Sequence, residues 1–309
     1  MKPRIFIDGQ EGTTGLQIYD RLGARNDIEL ITIDDALRKD TGERTRMLNN
    51  ADLVFLCLPD DAAREALRMI DNSKTRIIDA STAHRTDPRW VYGFPELSKH
   101  QRQRIEHARF VSNPGCHATG FIAMVYPLIS LDIMPRDYLL TCFSLTGYSG
   151  GGKKMIREYE KEKTPDMYSP RLYGLDLNHK HLPEMQHVTG LMNPPVFCPI
   201  VNDYYSGMSV TITLHNKKLN GKPTVAQLRD ALSEYYNGER YITVAPEPQS
   251  GGIHAGTMLE SNWGSGTNNM EITVSGNDKR SIVTARFDNL GKGASGAAVQ
   301  NMEIMLKLV

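Results

Sequence analysis

The sequence predicts an α/β protein in which a doubly wound parallel-sheet domain is followed by an α+β domain with a mixed sheet. Through the first third of the chain, short apolar strands alternate with polar segments of helical character. This alternation is typical of a parallel sheet built from right-handed crossovers. From about Asn113 the apolar strands become longer, as expected of a mixed or antiparallel sheet. The type of fold therefore changes near residue 113.

The individual elements follow from the apolar patterning. In the first third, strands are predicted at Arg4–Asp8, Glu29–Ile33, Leu53–Leu58 and Arg76–Asp79, and helices from about Thr14, near Glu43–Asn49 and at Asp61–Ile70. Beyond it, strands are predicted at Tyr138–Leu145, Ser209–Leu214, Tyr241–Val244, Asn269–Ser275 and Ser281–Phe287, and helices at Cys116–Leu131 and Thr224–Tyr236. Residues 289–309 show helical spacing after a glycine-rich opening, so a last helix could pack on either domain.

Composition favours a small-molecule ligand. The 309 residues suffice for one large or two medium domains, and Lys plus Arg equals Asp plus Glu at 36 each, so no nucleic-acid partner is expected. The opening segment MKPRIFIDG lacks the basic and apolar regions of a signal peptide. No apolar run approaches the roughly 18 residues of a membrane helix. The sequence therefore predicts a cytoplasmic protein with no membrane partner.

The four cysteines are too few and too widely spaced for a disulfide framework or a metal site, and no metal is predicted. Cys57, Cys142 and Cys198 lie in apolar strand-like runs and are expected to be inert core residues. Cys116 differs because it follows the turn Asn113-Pro114-Gly115 and begins an apolar helix. A helix N-terminus lowers the pKa of a thiol, so Cys116 is the candidate nucleophile, although a packing role also fits its position.

A glycine-rich loop joins the first strand to the first helix. Gly9, Gly12 and Gly15 form a GxxGxxG variant of the dinucleotide-binding fingerprint, with Thr13 and Thr14 at the start of the helix. Glycines let the backbone approach a pyrophosphate, and amides at the helix N-terminus can meet its charge. The alternative is a tight turn with no ligand.

Charged residues after the second strand indicate which dinucleotide would bind. Asp34 and Asp35 could bind a ribose 2′-hydroxyl, as in an NAD site, but Arg38 and Lys39 come just after them. We expect Arg38 to pair with a 2′-phosphate, which makes NADP(H) the predicted cofactor. The alternative is a solvated cluster of loop charges.

Several motifs together resemble one enzyme family. The run from Ser112 to Cys116, followed by Ala118-Thr119, is similar to the active-site signature of the N-acetyl-gamma-glutamyl-phosphate reductases, relatives of aspartate-semialdehyde and glyceraldehyde-phosphate dehydrogenases. The likeness extends in order over nearly the full chain, through the glycine loop and the segments 79–85, 147–153, 179–184 and 289–296. The short length and the run Thr82-Ala83-His84 suggest the shorter of the family's two subtypes.

The resemblance implies a Rossmann domain for NADP at residues 1–112, completed by the C-terminal helix 290–309, and a catalytic and dimerisation domain at 113–289. It implies a homo-oligomer, either a dimer or a tetramer, acting in arginine biosynthesis. The implied reaction is reduction of N-acetyl-gamma-glutamyl phosphate to N-acetylglutamate 5-semialdehyde and phosphate. Cys116 would attack the acyl phosphate to form a thioester, which hydride from NADPH then reduces.

The acid–base residue is expected in the segment from His179 to Glu184. In an extended segment His179 and His181 would point to the same side, so alternation does not separate them. We favour His181 because it lies nearer the turn at Pro183-Glu184, which could orient an imidazole, and place His179 second.

The remaining predicted contacts concern the substrate and the cofactor. Amides of the glycine loop after Tyr148, together with Lys153, could receive the departing phosphate, unless the loop is only a flexible turn. Arg85 could bind a substrate carboxylate or form a structural ion pair. In full, the predicted substrate contacts are Arg85, Asn113, Ser149, Gly150 and Lys153, and the further cofactor contacts are Ser81, Gly293 and Gly296.

Two other functions remain open from the sequence. An aspartate-semialdehyde dehydrogenase-like acyl-phosphate reductase would use the same parts, and a non-catalytic nucleotide sensor would need only residues 9–15. One departure from the family pattern is Ser206-Gly207, where many members carry an arginine-glycine pair. That departure puts any role of this segment in substrate binding in doubt.

Overall fold

Contacts within the computed structural model divide the chain into two units. The structure describes residues 2–10, 12–34, 36–37, 40–246, 253–254 and 258–308. Unit 1 comprises residues 1–114 and 294–309, and unit 2 comprises residues 115–293. Each unit is built around its own sheet.

The described residues of unit 1 form a parallel sheet with helices. Its strands are β1 (Arg4–Asp8), β2 (Glu29–Ile31), β3 (Leu53–Leu56), β4 (Arg76–Asp79), β5 (Val91–Tyr92) and β6 (Phe110–Ser112), in the order β2-β1-β3-β4-β6-β5. Its helices are α1 (Thr13–Leu22), α2 (Thr41–Asn50), α3 (Asp60–Arg68), α4 (Gln101–His107) and the C-terminal α9 (Gly296–Met305). The order reverses between β1 and β3, and ligands bind doubly wound sheets at the carboxyl ends of the strands beside such a point.

The central strands of unit 1 are buried on both faces. Every residue of β3 is buried, which explains its continuous apolar run. The last helix packs into this core, because Ala298, Met302 and Met305 of α9 join the cluster that holds Ile5 and Phe55.

The described residues of unit 2 form a mixed sheet with helices and a short hairpin. The sheet strands are β7 (Thr141–Gly147), β8 (Arg171–Leu172), β9 (Val196–Asn202), β10 (Met208–His215), β11 (Ile242–Val244), β14 (Met270–Asn277) and β15 (Arg280–Phe287), in the order β11-β14-β15-β10-β7-β9-β8. The helices are α5 (Cys116–Ser130), α6 (Gly152–Lys161), α7 (Leu182–Thr189) and α8 (Val225–Tyr235), and β12 (Ile253–His254) pairs with β13 (Met258–Leu259). Parallel and antiparallel pairs occur together in this sheet, which confirms the predicted fold class.

The two faces of the unit 2 sheet differ. Helix α5 packs closely on one face, where a Cβ atom at Gly120 would come within 2.6 Å of Val210 and 2.8 Å of Phe287. The opposite face carries apolar side chains that are partly exposed, among them Phe143 at 41% and Val196 at 49%. We call this second surface the open sheet face; it comprises Phe143, Leu172, Val196, Ile200 and Ile282.

The segment before Glu184 differs from its prediction. It is not extended with a turn at Pro183, because His181 is the N-cap of α7 and Pro183 lies in the first turn of that helix. Proline is accepted there since the first helical N–H groups have no intrahelical partner. In the part of the chain that the structure describes, no helix is both long and apolar enough to cross a membrane.

Candidate active site

Cys116 occupies the first position of α5 and is half-buried. The N-cap Gly115 is extended, and the first helical hydrogen bond runs from the Thr119 amide to the Gly115 carbonyl at 2.8 Å. The amides of Cys116, His117 and Ala118 therefore precede the first helical bond. Such first-turn amides can stabilise a thiolate or an oxyanion beside it.

Glu184 holds the turn that leads into Cys116. Its carboxylate Oε1 accepts a hydrogen bond from the Gly115 amide at 2.8 Å, and the residue is 1% exposed. This hydrogen bond fixes the backbone just before Cys116, the candidate nucleophile. The sequence alone placed Glu184 only in a turn, because the Gly115 amide that it binds lies 69 residues away along the chain.

His117 is a buried site residue that the sequence analysis missed. Its Nδ1 lies 2.7 Å from the Ser144 Oγ, and its Nε2 lies 2.8 Å from the Tyr173 hydroxyl. Burial lowers the pKa of His117 to about 3, with smaller contributions from His179 and Lys180. The imidazole is therefore neutral at physiological pH. Its position directly after Cys116, the candidate nucleophile, was the available signal.

The two candidate acid–base histidines lie beside His117. The His179 ring centroid is 5.4 Å from that of His117, and the His181 centroid is 5.6 Å from it. The His181 backbone amide donates to the His179 Nδ1 at 3.2 Å. Burial, and next the charge of Lys180, lower the pKa of His179 to about 4, while Asp176 opposes the shift.

Gly293 lies against Cys116. A Cβ atom at this position would come within 2.9 Å of the Cys116 Cβ and 3.2 Å of the Asp288 carbonyl oxygen. A side chain here would crowd Cys116, so the glycine keeps that side of the thiol open. Contact of Gly293 and Gly296 with a cofactor stays a prediction.

The predicted phosphate loop is anchored by Asn289. The Asn289 Nδ2 donates to the Ser149 Oγ at 3.0 Å, while its Oδ1 accepts from the Gly207 amide at 2.8 Å. Lys153 is exposed in the first turn of α6. Gly150 is exposed, and a Cβ atom there would make ordinary contacts with the Asn289 Nδ2 at 3.4 Å and the Thr146 Oγ1 at 3.5 Å. A role of the loop in binding phosphate stays a prediction.

Gly207 cannot be exchanged for a residue with a side chain. Its φ is +116°, and a Cβ atom would come within 2.4 Å of the Asn262 Cα. The Ser206-Gly207 segment therefore has a structural function through Gly207, whatever its role toward substrate.

The glycine loop of unit 1 fits a dinucleotide. Cβ atoms at Gly9 and Gly15 would each come within 2.4 Å of a backbone oxygen, whereas at Gly12 the nearest would be 3.3 Å away. Gly9 and Gly15 thus have no room for a side chain, and a Cβ atom at Gly12 would make a tight contact with the Gly9 carbonyl oxygen. The buried Thr13 Oγ1 has no hydrogen-bond partner among the described residues, as expected of a hydroxyl that binds a ligand. Thr14 follows it in the first turn of α1. That first turn contains no acidic residue.

The other predicted contacts in unit 1 have partners within the protein. The Ser81 hydroxyl donates to Asp79 at 2.7 Å, the Arg85 Nε to the Asn113 carbonyl at 3.0 Å, and the Asn113 Nδ2 to the Ala294 carbonyl at 3.0 Å. These bonds order the carboxyl ends of β4 and β6. Binding roles for the three residues stay predictions, and Arg38 lies outside the described residues.

Comparison with known proteins identifies the family. The family model "Semialdehyde dehydrogenase, NAD binding domain" matches residues 6–105, and "Semialdehyde dehydrogenase, dimerisation domain" matches residues 116–289. The chain belongs to the semialdehyde dehydrogenase family. A Nostoc protein named N-acetyl-gamma-glutamyl-phosphate reductase 2 is 49% identical, covering 99% of this chain and 98% of its own. A Pseudomonas putida protein of the same name is 45% identical over 98% and 97%.

Solved structures of this family share the fold. Aspartate semialdehyde dehydrogenase II from Vibrio cholerae superposes with a TM-score of 0.74 at 13% identity, covering 99% of both chains. The enzyme from Francisella tularensis superposes with a TM-score of 0.72 at 13% identity, covering 98% of this chain and 99% of its own. Within the family, the sequence relatives place this chain among the N-acetyl-gamma-glutamyl-phosphate reductases, as its motifs indicated.

Proposed function

We propose that this protein reduces N-acetyl-gamma-glutamyl phosphate to N-acetylglutamate 5-semialdehyde and inorganic phosphate, with NADPH as the reductant, in cytoplasmic arginine biosynthesis. The observation that carries the proposal is the position of Cys116 at a helix N-terminus, against Gly293 and beside a histidine cluster. The histidine cluster comprises His117, His179 and His181. The names of relatives that match the chain over nearly its whole length supply the substrate.

The first half of the reaction belongs to Cys116. Its thiolate attacks the acyl carbon, and the bond from that carbon to the phosphate oxygen breaks, so that phosphate leaves with the electron pair. The first-turn amides of α5 stabilise the oxygen anion of the tetrahedral adduct. The loop at Ser149 and Gly150, with Lys153, is suited to receive the phosphate.

The second half releases the aldehyde. When bound, the nicotinamide would supply a hydride to the thioester carbon, which would give a tetrahedral thiohemiacetal. His181 would donate the proton that the oxygen of that adduct gains, and would take it back as the carbon–sulfur bond breaks and Cys116 departs as thiolate. Thr13 and the amides at the start of α1 would hold the cofactor's pyrophosphate.

The proposal is tested in the reverse direction. Purified protein is supplied with N-acetylglutamate 5-semialdehyde and NADP, and absorbance at 340 nm is followed with and without inorganic phosphate. We expect NADPH to form only when phosphate is present. Faster reaction with aspartate semialdehyde would favour the related dehydrogenase activity, and binding of NADP without turnover on either aldehyde would favour a sensor.

Arg38 is expected to select NADPH over NADH. A guanidinium that pairs with the 2′-phosphate loses a charge-assisted interaction when it is removed, so Arg38→Ala should reduce the ratio of kcat/KM for NADPH to that for NADH by about tenfold or more. Steady-state kinetics with both cofactors measures the ratio. Arg102→Ala, at an exposed position of α4, is the matched control. Comparable efficiencies with the two cofactors in the wild-type protein would show the cluster at 38–39 to be only solvated charge.

We also propose that two copies associate through the open sheet face. Its partly exposed apolar side chains lie in the segment that matches the dimerisation domain, and burial of such side chains favours association. Phe143→Glu should therefore lower the molar mass measured by light scattering on size-exclusion chromatography to that of a smaller assembly. Tyr168→Glu, at a 67% exposed site off this face, should leave the mass unchanged. A wild-type monomer at micromolar concentration would contradict the proposal.

A further inference from the structure

A chain of three neutral side chains runs beside the nucleophile in unit 2. Ser144 on β7, His117 on α5 and Tyr173 after β8 are joined by hydrogen bonds of 2.7 and 2.8 Å. Ser144 is fully buried and His117 is 3% exposed, so water does not compete for the bond between them, whereas Tyr173 is half-buried. The proposed mechanism uses none of the three side chains.

A neutral His117 allows the chain to run in either of two directions. A neutral imidazole has one N–H, so one ring nitrogen donates and the other accepts. If the Ser144 hydroxyl donates to Nδ1, then Nε2 donates to the Tyr173 oxygen. The Tyr173 O–H is then released from His117 and can donate to a third group.

The Cys116 sulfur is the group to which this hydroxyl can donate a hydrogen bond. Cys116 precedes His117 in α5, and burial, followed by negative charge on the nearby Cys116 sulfur, raises the pKa of the Tyr173 phenol. The Tyr173 hydroxyl therefore keeps its proton at physiological pH. As a neutral donor it would stabilise an ionised Cys116, because hydrogen bonds to ionised acceptors are stronger than those to neutral ones.

We propose that Ser144, His117 and Tyr173 form a hydrogen-bond chain that directs the Tyr173 hydroxyl onto the Cys116 sulfur and stabilises its thiolate. His117 is a positioning residue in this chain, and no net charge is added. Each bond polarises the next toward the sulfur. The inference rests on the proposed function only in taking Cys116 as the nucleophile.

Other charged and titratable groups also surround this end of α5. They are His179, Lys180 and His181 on the segment before α7, Glu184 on α7, and Asp288 and Lys292 next to Gly293. A test must therefore change the hydroxyl and the imidazole while keeping these groups in place.

The test measures the acidity of Cys116 without substrate or cofactor. The rate of alkylation by iodoacetamide is followed from pH 5 to 10, and the Cys116 peptide is quantified by mass spectrometry so that other cysteines do not contribute. We expect Tyr173→Phe to raise the apparent pKa of Cys116 by about one pH unit or more, roughly a tenfold loss of thiolate at a given pH below the pKa. Tyr168→Phe, which removes an exposed hydroxyl in the same unit, should not change it.

Two substitutions of His117 test the chain itself. His117→Leu should raise the apparent pKa of Cys116 as much as Tyr173→Phe does, and the double variant should add little, because both break the same chain. His117→Gln, whose amide can still donate toward Tyr173, should raise the apparent pKa of Cys116 less than His117→Leu does. Circular dichroism and thermal melting verify that each variant is folded.

Clear outcomes overturn the inference. An unchanged apparent pKa of Cys116 in folded Tyr173→Phe shows that the Tyr173 hydroxyl does not stabilise the Cys116 thiolate. A shift in Tyr173→Phe without one in His117→Leu shows that His117 does not direct it. Because alkylation needs neither acyl phosphate nor NADPH, these results are independent of whether the proposed reaction is found.

Discussion

Cys116→Ser is expected to abolish turnover and to leave NADPH binding intact. A serine hydroxyl stays protonated at neutral pH, whereas a thiol at a helix N-terminus ionises and attacks readily. The first-turn amides of α5 remain in the variant, but they cannot supply a nucleophile. We expect kcat to fall by about 10⁴-fold or more, the scale of loss for a residue that forms the covalent bond.

Binding and turnover are measured separately for this variant. Titration of protein fluorescence with NADPH gives the Kd, and the phosphate-dependent reverse assay gives kcat. Cys198→Ser is the control, since Cys198 is a half-buried thiol on β9 without a helix N-terminus. Substantial turnover in Cys116→Ser, or an equal loss in Cys198→Ser, would contradict the thioester mechanism.

The fold class could be predicted because local patterns determine it. The bounds of β1 and β4 agree with prediction to the residue, since each is a short apolar run that ends at an aspartate. The short strands β5 and β6 and the helix α4 were missed, because two or three residues carry no periodicity and α4 is largely polar. Helix α7 was missed because proline in its first turn resembles a breaker.

The candidate site likewise contains some residues that the sequence could predict and others that it could not. The glycine loop and Cys116 could be found because strand, turn and helix follow one another along the chain. The hydrogen bonds of His117 to Ser144 and Tyr173 span 27 and 56 residues, and that from Gly115 to Glu184 spans 69. No spacing rule links residues so far apart. Their partnership arises only when α5, β7, β8 and α7 pack together in unit 2.

His181→Asn is expected to lower kcat by roughly 100-fold or more, the scale of positioned acid–base catalysis, with little change in NADPH affinity. The structure gives a reason, absent from the sequence, to assign different roles to His179 and His181. The His179 Nδ1 accepts from the His181 amide, so in its neutral form His179 carries its proton on Nε2 and has no nitrogen left to take another. With its pKa lowered to about 4, His179 is also uncharged at the pH of the assay. His179 can donate a hydrogen bond, but it is poorly suited to accept a proton.

The comparison of His181→Asn with His179→Asn decides the assignment. Both substitutions keep a polar side chain, so the difference between them reports on proton transfer more than on packing. We expect the larger loss of kcat in His181→Asn. If His179→Asn carries the larger loss and His181→Asn is nearly silent, the assignment is reversed. If neither variant loses activity, the proton passes through another group or through water, and the histidine cluster serves to order the Cys116 end of α5.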